Sequence, residues 1–197
     1  MARAARTGYH HGALRQALLK HATKLLDKEG VEAVTIRAVA RAAGVSHAAP
    51  INHFETRNAL LTALATSFFD NLAADIDAHV QSADDKLARV RAFAVALVEY
   101  GLRYPQRYRL MWRRDLLLPD AALQLSMDGI YERLTAELSG VRRRHGKSTH
   151  TVATAMWSLA HGYISMRIDR MFEARTDEVT GQSRFEAMLD LLLGPAS

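Results

Sequence analysis

From Leu14 to Leu192 the apolar residues of this 197-residue chain recur at intervals of three and four, and they nowhere alternate singly over a useful length. That spacing lines one face of a helix, whereas a half-buried strand needs a period of two. The expected fold is all-α, with about nine helices. Leu14, Ala17, Leu18, Ala22 and Leu25 mark the first, which Gly30 ends. Thr35 suits the N-cap of a short second helix over Ile36 to Ala42, Gly44 supplies a turn, and Ser46 suits the cap of a third reaching about His53. Thr56 would cap a long fourth helix carrying Leu60, Leu61, Leu64, Phe68 and Leu72.

Beyond it, Leu87, Val90, Ala94, Leu97 and Gly101 mark a fifth helix, and Pro105 suits the first turn of a short sixth. Leu123, Met127, Ile130, Leu134 and Leu138 mark a seventh, ended by Ser139 and Gly140. Val152 to Met166 is apolar on nearly every face, so that helix is expected to be buried all round. The last opens on a capping box, Ser183 with Glu186, carries Phe185, Met188, Leu189 and Leu192, and stops at Gly194 and Pro195. No internal repeat is visible.

Composition excludes several classes. With 49% hydrophobic and 24% charged residues the chain is neither disordered nor fibrous. It has no cysteine, which rules out disulfides, thiolate metal sites and a cysteine nucleophile. The opening residues lack a signal-peptide core, and no run reaches the roughly 20 apolar residues that span a bilayer. A cytoplasmic protein with no membrane partner is expected. The net charge of +5 is unevenly placed: residues 1–60 hold nine Lys and Arg against four Asp and Glu, while the remainder is balanced. A basic first third on a neutral body suggests a polyanion-binding module.

The segment Thr35 to Phe54, TIRAVARAAGVSHAAPINHF, has the spacing of a helix-turn-helix. Ala40 is small enough for two helices to cross closely, Gly44 turns the chain, and Val45 with Phe54 would anchor the second helix from beneath. Its other face would then be free. Ala48 and Ala49 allow backbone approach to a groove, and His47 and Asn52 carry donors and acceptors for base edges. Thr35 stands where a helix N-terminus could meet a phosphate. A plain helical hairpin within a core has the same spacing, but would not explain the coincident positive charge.

Residues 9–71 resemble the N-terminal domain of tetracycline-repressor (TetR) family transcriptional regulators. Weaker similarity to one branch of that family runs through YPQRYRLMW (Tyr104 to Trp112) and through Trp157, His161 and Gly162 in MWSLAHGYISM. The resemblance implies a basic arm over 1–10, a DNA-binding domain over 11–71 with its motif at 35–54, and a ligand-binding and dimerisation domain over 72–197. It implies a homodimer, paired through the last two helices (about 150–170 and 183–193), on a palindromic double-stranded DNA operator. A small hydrophobic or amphipathic effector would release it, and repression is the usual sign. Carried over by position, Thr35, Arg37 and Arg41 would lie at the DNA backbone, Ser46 at the helix cap, and His47, Ala48 and Ala49 near base edges. His53 and Arg57 would lie on phosphates. The family usually has a large apolar residue where this chain has Pro50, whose lost backbone donor is tolerable near a first helical turn, and a tyrosine that often reaches phosphate where it has Ile51, whose side chain cannot make that hydrogen bond. Asn52 could read adenine or touch only backbone, and Arg3 and Arg6 could enter a minor groove or form a frayed terminus.

Aromatic and long apolar residues concentrate after the motif. Phe68, Phe93, Leu97, Tyr100, Tyr104, Tyr108, Met111, Trp112, Met127, Tyr131, Trp157 and His161 are the candidates for an effector pocket, each of which could equally be core. Gly140 to Ser148, GVRRRHGKS, imitates a phosphate-binding loop but has five residues where four are required and no preceding strand. No metal-binding His spacing, catalytic nucleophile or paired carboxylate stands out, so no enzyme, metal or cofactor is expected. Two classes stay open: a ligand-responsive dimeric regulator, and a helical carrier that binds nucleic acid without sequence choice.

Overall fold

Eight α-helices are present in the computed structural model, which describes residues 5–141 and 146–194, with side chains from Gly12 onward. Arg3, the side chain of Arg6, the loop arginines Arg142 to Arg144 and Pro195 lie outside the described residues. The helices are α1 (Ala5–Glu29), α2 (Ile36–Ala42), α3 (Arg57–Gln81), α4 (Lys86–Arg103), α5 (Pro105–Met111), α6 (Ala121–Leu138), α7 (Thr149–Ile168) and α8 (Arg184–Leu193). Among the described residues there is no strand, only an isolated bridge between Thr176 and Ser183. The α1 helix begins at Ala5, inside the stretch read as a basic arm.

Two compact units divide the chain, the first comprising Met1–Phe69 and Tyr104–Gln124. In it α1 packs on both α2 and α5. Leu18, Ala22 and Leu26 are fully buried, so the inward stripe drifts past Leu25, which is only half-buried. Each buried leucine removes enough apolar surface from water to contribute roughly 1.5–3 kcal/mol. Gly30 ends α1 at φ +83°, its N–H bonded to the Leu26 carbonyl at 2.9 Å. Thr56 caps α3 by accepting from the Ala59 N–H at 3.1 Å, and Leu60, Leu61, Leu64 and Phe68 are buried behind it.

Pro105 opens α5, where its missing N–H costs nothing because first-turn donors have no helical partner. Arg107 on α5 grips Asp27 of α1 at 2.6 Å and lays its guanidinium over the rings of Tyr104, at 4.1 Å, and Phe68, at 5.5 Å. Buried Thr62 donates to the Asn58 carbonyl at 2.7 Å and accepts from the Leu118 N–H at 2.9 Å. The segment after α5 is thereby tied to α3.

The second unit comprises Asp70–Arg103 and Leu125–Ser197. Its α4 packs on α7 and α8, which also pack on each other. Arg89 of α4 makes a two-point pair with Glu137 of α6, both bonds 2.7 Å, which holds the Glu137 carboxyl below its ordinary pKa. Arg91 bonds Asp190 at 2.5 Å and the Gly194 carbonyl, closing the end of α8 onto α4. The Ser183–Glu186 capping box is formed in both directions.

One expectation for this unit is corrected. The α7 helix buries Ala153, Met156, Ala160, Tyr163 and Ile164, but leaves Thr151, Ala155, Ser158 and Met166 exposed. Its partners α4 and α8 cover one side, and these exposed residues stand on the rest of its described surface. The expectation that no segment matches a membrane span also needs amending. By length and composition α3 is apolar enough to cross a bilayer, but half of the qualifying stretch is buried, as in a helix at the centre of a core.

Candidate nucleic-acid interface

The first half of the motif forms as its sequence dictates. Thr35 is in extended conformation and its hydroxyl accepts from the Ala38 N–H at 3.1 Å, satisfying a donor that the first turn of α2 leaves open. At the other end Gly44 adopts φ +69°. Its N–H bonds the Arg41 carbonyl at 3.2 Å, and the Val45 N–H reaches the Ala40 carbonyl at 3.1 Å. This pair of closures is a Schellman cap, and only a residue at ease with positive φ completes it. Ala40 is 2% exposed, consistent with close packing at the helix crossing.

The second half corrects the sequence reading. No α-helix spans Ser46 to His53: the segment is a run of turns with one 3-10 turn, Pro50–Asn52. Ser46 therefore caps no α-helix, and its carbonyl accepts from the Ala49 N–H at 3.1 Å. Ile51 N–H to Ala48 and His53 N–H to Pro50 are likewise three-residue bonds, at 3.2 and 2.9 Å. Pro50 is the cause. It has no N–H to give the Ser46 carbonyl, and its ring crowds the preceding turn, so the tighter three-residue pattern prevails.

Pro50 is itself buried, as is Phe54, over whose ring the Arg15 guanidinium sits at 5.3 Å. The apolar underside expected of Val45 and Phe54 thus exists, with Pro50 added and Val45 only half-buried. On the outer side Thr35, Arg37, Arg41, Ser46, His47, Ala48, Ile51 and Asn52 are exposed, while Ala49 and His53 are half-buried. Arg57 is placed differently from these. Its Nε donates to the Val34 carbonyl at 2.7 Å and its Nη2 to the Val31 carbonyl at 2.6 Å, with Glu32 at 3.5 Å. These bonds fasten the start of α3 to the turn that precedes α2.

The twelve candidate pocket residues fall in both units. Phe68, Tyr104, Tyr108, Met111 and Trp112 belong to the first, where Trp112 meets Tyr108 and Phe69 edge-on at 5.9 and 5.5 Å. Burial pushes the Tyr108 phenol above its ordinary pKa. Phe93, Leu97, Tyr100, Met127, Tyr131, Trp157 and His161 belong to the second. Phe93, Leu97 and Tyr100 are core, whereas Met127, Tyr131, Trp157 and His161 are half-buried. Tyr131 stacks on His150 at 6.1 Å. Burial lowers the His161 pKa, because desolvation disfavours the charged imidazolium. A groove of about 330 Å³ in this unit is lined by Asp70, Ala73, Ala74, Asp77, Leu125, Ser126, Gly129 and Arg133, none of them among the twelve.

Helices without strands among the described residues, with a basic N-terminal segment whose α2 and following turns expose polar side chains, are the class of architecture found in helical DNA-binding regulators. Residues 18–64 match the family described as "Bacterial regulatory proteins, tetR family", and residues 90–192 match "Tetracyclin repressor-like, C-terminal domain". The chain belongs to the TetR family. It is 26% identical over 174 residues to the nucleoid occlusion factor SlmA of Escherichia coli, covering 83% of this chain and 88% of that protein. A solved protein of unknown function from Rhodococcus sp. RHA1 is 32% identical over 81% of this chain and 85% of its own, with a TM-score of 0.70. The structure of AibR in complex with isovaleryl coenzyme A and operator DNA shares the fold at a TM-score of 0.65, with 16% identity over 92% of this chain and 99% of that one.

Proposed function

We propose that this protein is a cytoplasmic, ligand-responsive transcriptional regulator that binds a palindromic operator as a homodimer and represses until a small hydrophobic or amphipathic effector releases it. The observation that carries the reading is the outer face of the motif. Across it Arg37, Arg41, His47, Ala48 and Asn52 are all exposed, while Val39, Ala40, Pro50 and Phe54 are buried. Cations set near groups able to hydrogen-bond base edges make the division of labour that duplex recognition requires: phosphate contacts position, and base contacts specify. Arg37 and Arg41 take the backbone, with Thr35 and His53 at their flanks; His47, Ala48 and Ala49 take the groove. Arg57 acts one step back, by holding the motif to α3.

Dimerisation through α7 and α8 would cover the uncovered side of α7 together with Leu191 of α8, which is 84% exposed. The residues implied for the effector pocket are spread over α3 to α7 in both units, and the Trp157–His161–Gly162 run supports membership of the Trp/His-Gly branch. AibR, solved with a coenzyme A thioester and operator DNA together, supports a fold able to hold both classes of ligand. An effector that favours one setting of α3 would change the separation of the two motifs away from the roughly 34–36 Å of one DNA turn. A coupling of about 1–3 kcal/mol would loosen the operator roughly 5- to 150-fold.

The test is competition at fixed salt between fragments from upstream of the protein's own reading frame and random duplex. Preference for the upstream fragments is expected. Equal affinity for both would overturn the reading, because non-specific neutralisation of phosphates alone gives that result.

A further inference from the structure

We infer that Ile51, with Ala48, reads the 5-methyl group of thymine, so that the base pairs this protein distinguishes are A·T pairs. The inference rests on the DNA-binding reading above and deepens it. Ile51, in the surface 3-10 turn, is 49% exposed. The Ile51 N–H bonds the Ala48 carbonyl at 3.2 Å, and residues three apart in such a turn eclipse one another. The two exposed aliphatic side chains therefore form one short apolar strip.

That strip lies among groups that hydrogen-bond. His47 and Asn52 flank it in sequence and are both exposed. Residues 45–53, VSHAAPINH, contain no lysine or arginine, the side chains that pair most often with guanine; the nearest arginine in the motif is Arg41, on α2. An amide that matches the adenine N6 and N7 atoms, beside methyl groups that match the thymine C5-methyl, is the donor and apolar pattern of an A·T pair in the major groove. Pro50 sets this face. Its ring is buried on the underside, and the tight turn it imposes brings positions 48 and 51 into line.

The probe is duplex DNA enriched from a random pool by the full-length protein, in which each thymine is replaced in turn by uracil, a change that removes only the methyl group. Burying one methyl contributes about fourfold in affinity per half-site. We expect at least one thymine per half-site to show about that loss with the wild-type chain, and the loss to shrink below about twofold in Ile51→Ala while Ile51→Val keeps it. Unchanged thermal melting of both variants ties the effect to the contact. Enriched DNA in which no thymine is sensitive, or an equal uracil penalty in Ile51→Ala, overturns the inference and leaves the regulator reading intact. Failure to enrich any sequence overturns both.

Discussion

The two halves of the helix-turn-helix segment are of similar length, lie next to each other in sequence and both expose polar residues, yet only one of them is an α-helix. In α2 every end is answered locally: Thr35 accepts from Ala38, and Gly44 and Val45 close back onto Arg41 and Ala40. From Ser46 to His53 the bonds run to the third residue, and the four-residue pattern returns only at Phe54, whose N–H meets the Pro50 carbonyl at 2.8 Å. One missing N–H separates the two outcomes. A short helix survives where both caps are supplied, and a single proline in its early turns is enough to convert it to tighter turns.

That contrast can be broken from either side. The largest effect is expected from Arg57→Ala, which strips donors from the carbonyls of Val31 and Val34 just before α2. A loss of about 3 kcal/mol should appear in urea unfolding, since the bonds are to a charged group and the carbonyls are partly buried. A loss below about 1 kcal/mol would mean that α2 is held by its own caps alone. Gly44→Ala comes next. No atom lies within 4 Å of the added methyl, so the cost is that of an L-residue at φ +69°, about 1–2 kcal/mol.

Thr35→Ala should cost about 1 kcal/mol, the worth of one N-cap. Thr35→Asp should recover it, and failure to recover would show that the hydroxyl does something other than cap. The smallest change in stability, within about 1 kcal/mol, is expected of Pro50→Ala, because a restored N–H offsets the greater freedom of the unfolded chain. Its signature lies elsewhere. Far-ultraviolet circular dichroism should gain helical signal, and the amides of residues 48–53 should gain protection from hydrogen exchange. If neither rises, Pro50 does not set the second half of the motif.

Much of the architecture was legible because its signals are local. Thr35, Thr56, the Ser183–Glu186 pair, Gly30 and Pro105 act within a few residues of themselves, and each stands where the sequence pattern placed it. Pro50 was legible as a residue but not in its effect, since a proline near the first turn of a helix is tolerated or disruptive according to where that turn begins. Arg57 could not be read at all from sequence. A cation beside a DNA-binding motif looks like a phosphate ligand until the carbonyls of Val31 and Val34 are found within 2.7 Å.

The exposed side of α7 escaped the sequence for a related reason: uniform hydrophobicity reports an apolar helix, without saying which of its faces the neighbouring helices cover. For the aromatic candidates, spacing identified apolar faces but not their division between two compact units, which depends on α5 joining α1.

By itself the sequence determined the helices, their caps, the placement of charge on the first third and the outline of the DNA-binding motif, because all of these follow from residues within a turn or two of one another. Only the tertiary structure decided what faces outward. It turned Ile51 and Asn52 to solvent, Pro50 inward and Arg57 onto the backbone, since exposure is fixed by whatever packs against the opposite face, and that neighbour comes from elsewhere in the chain.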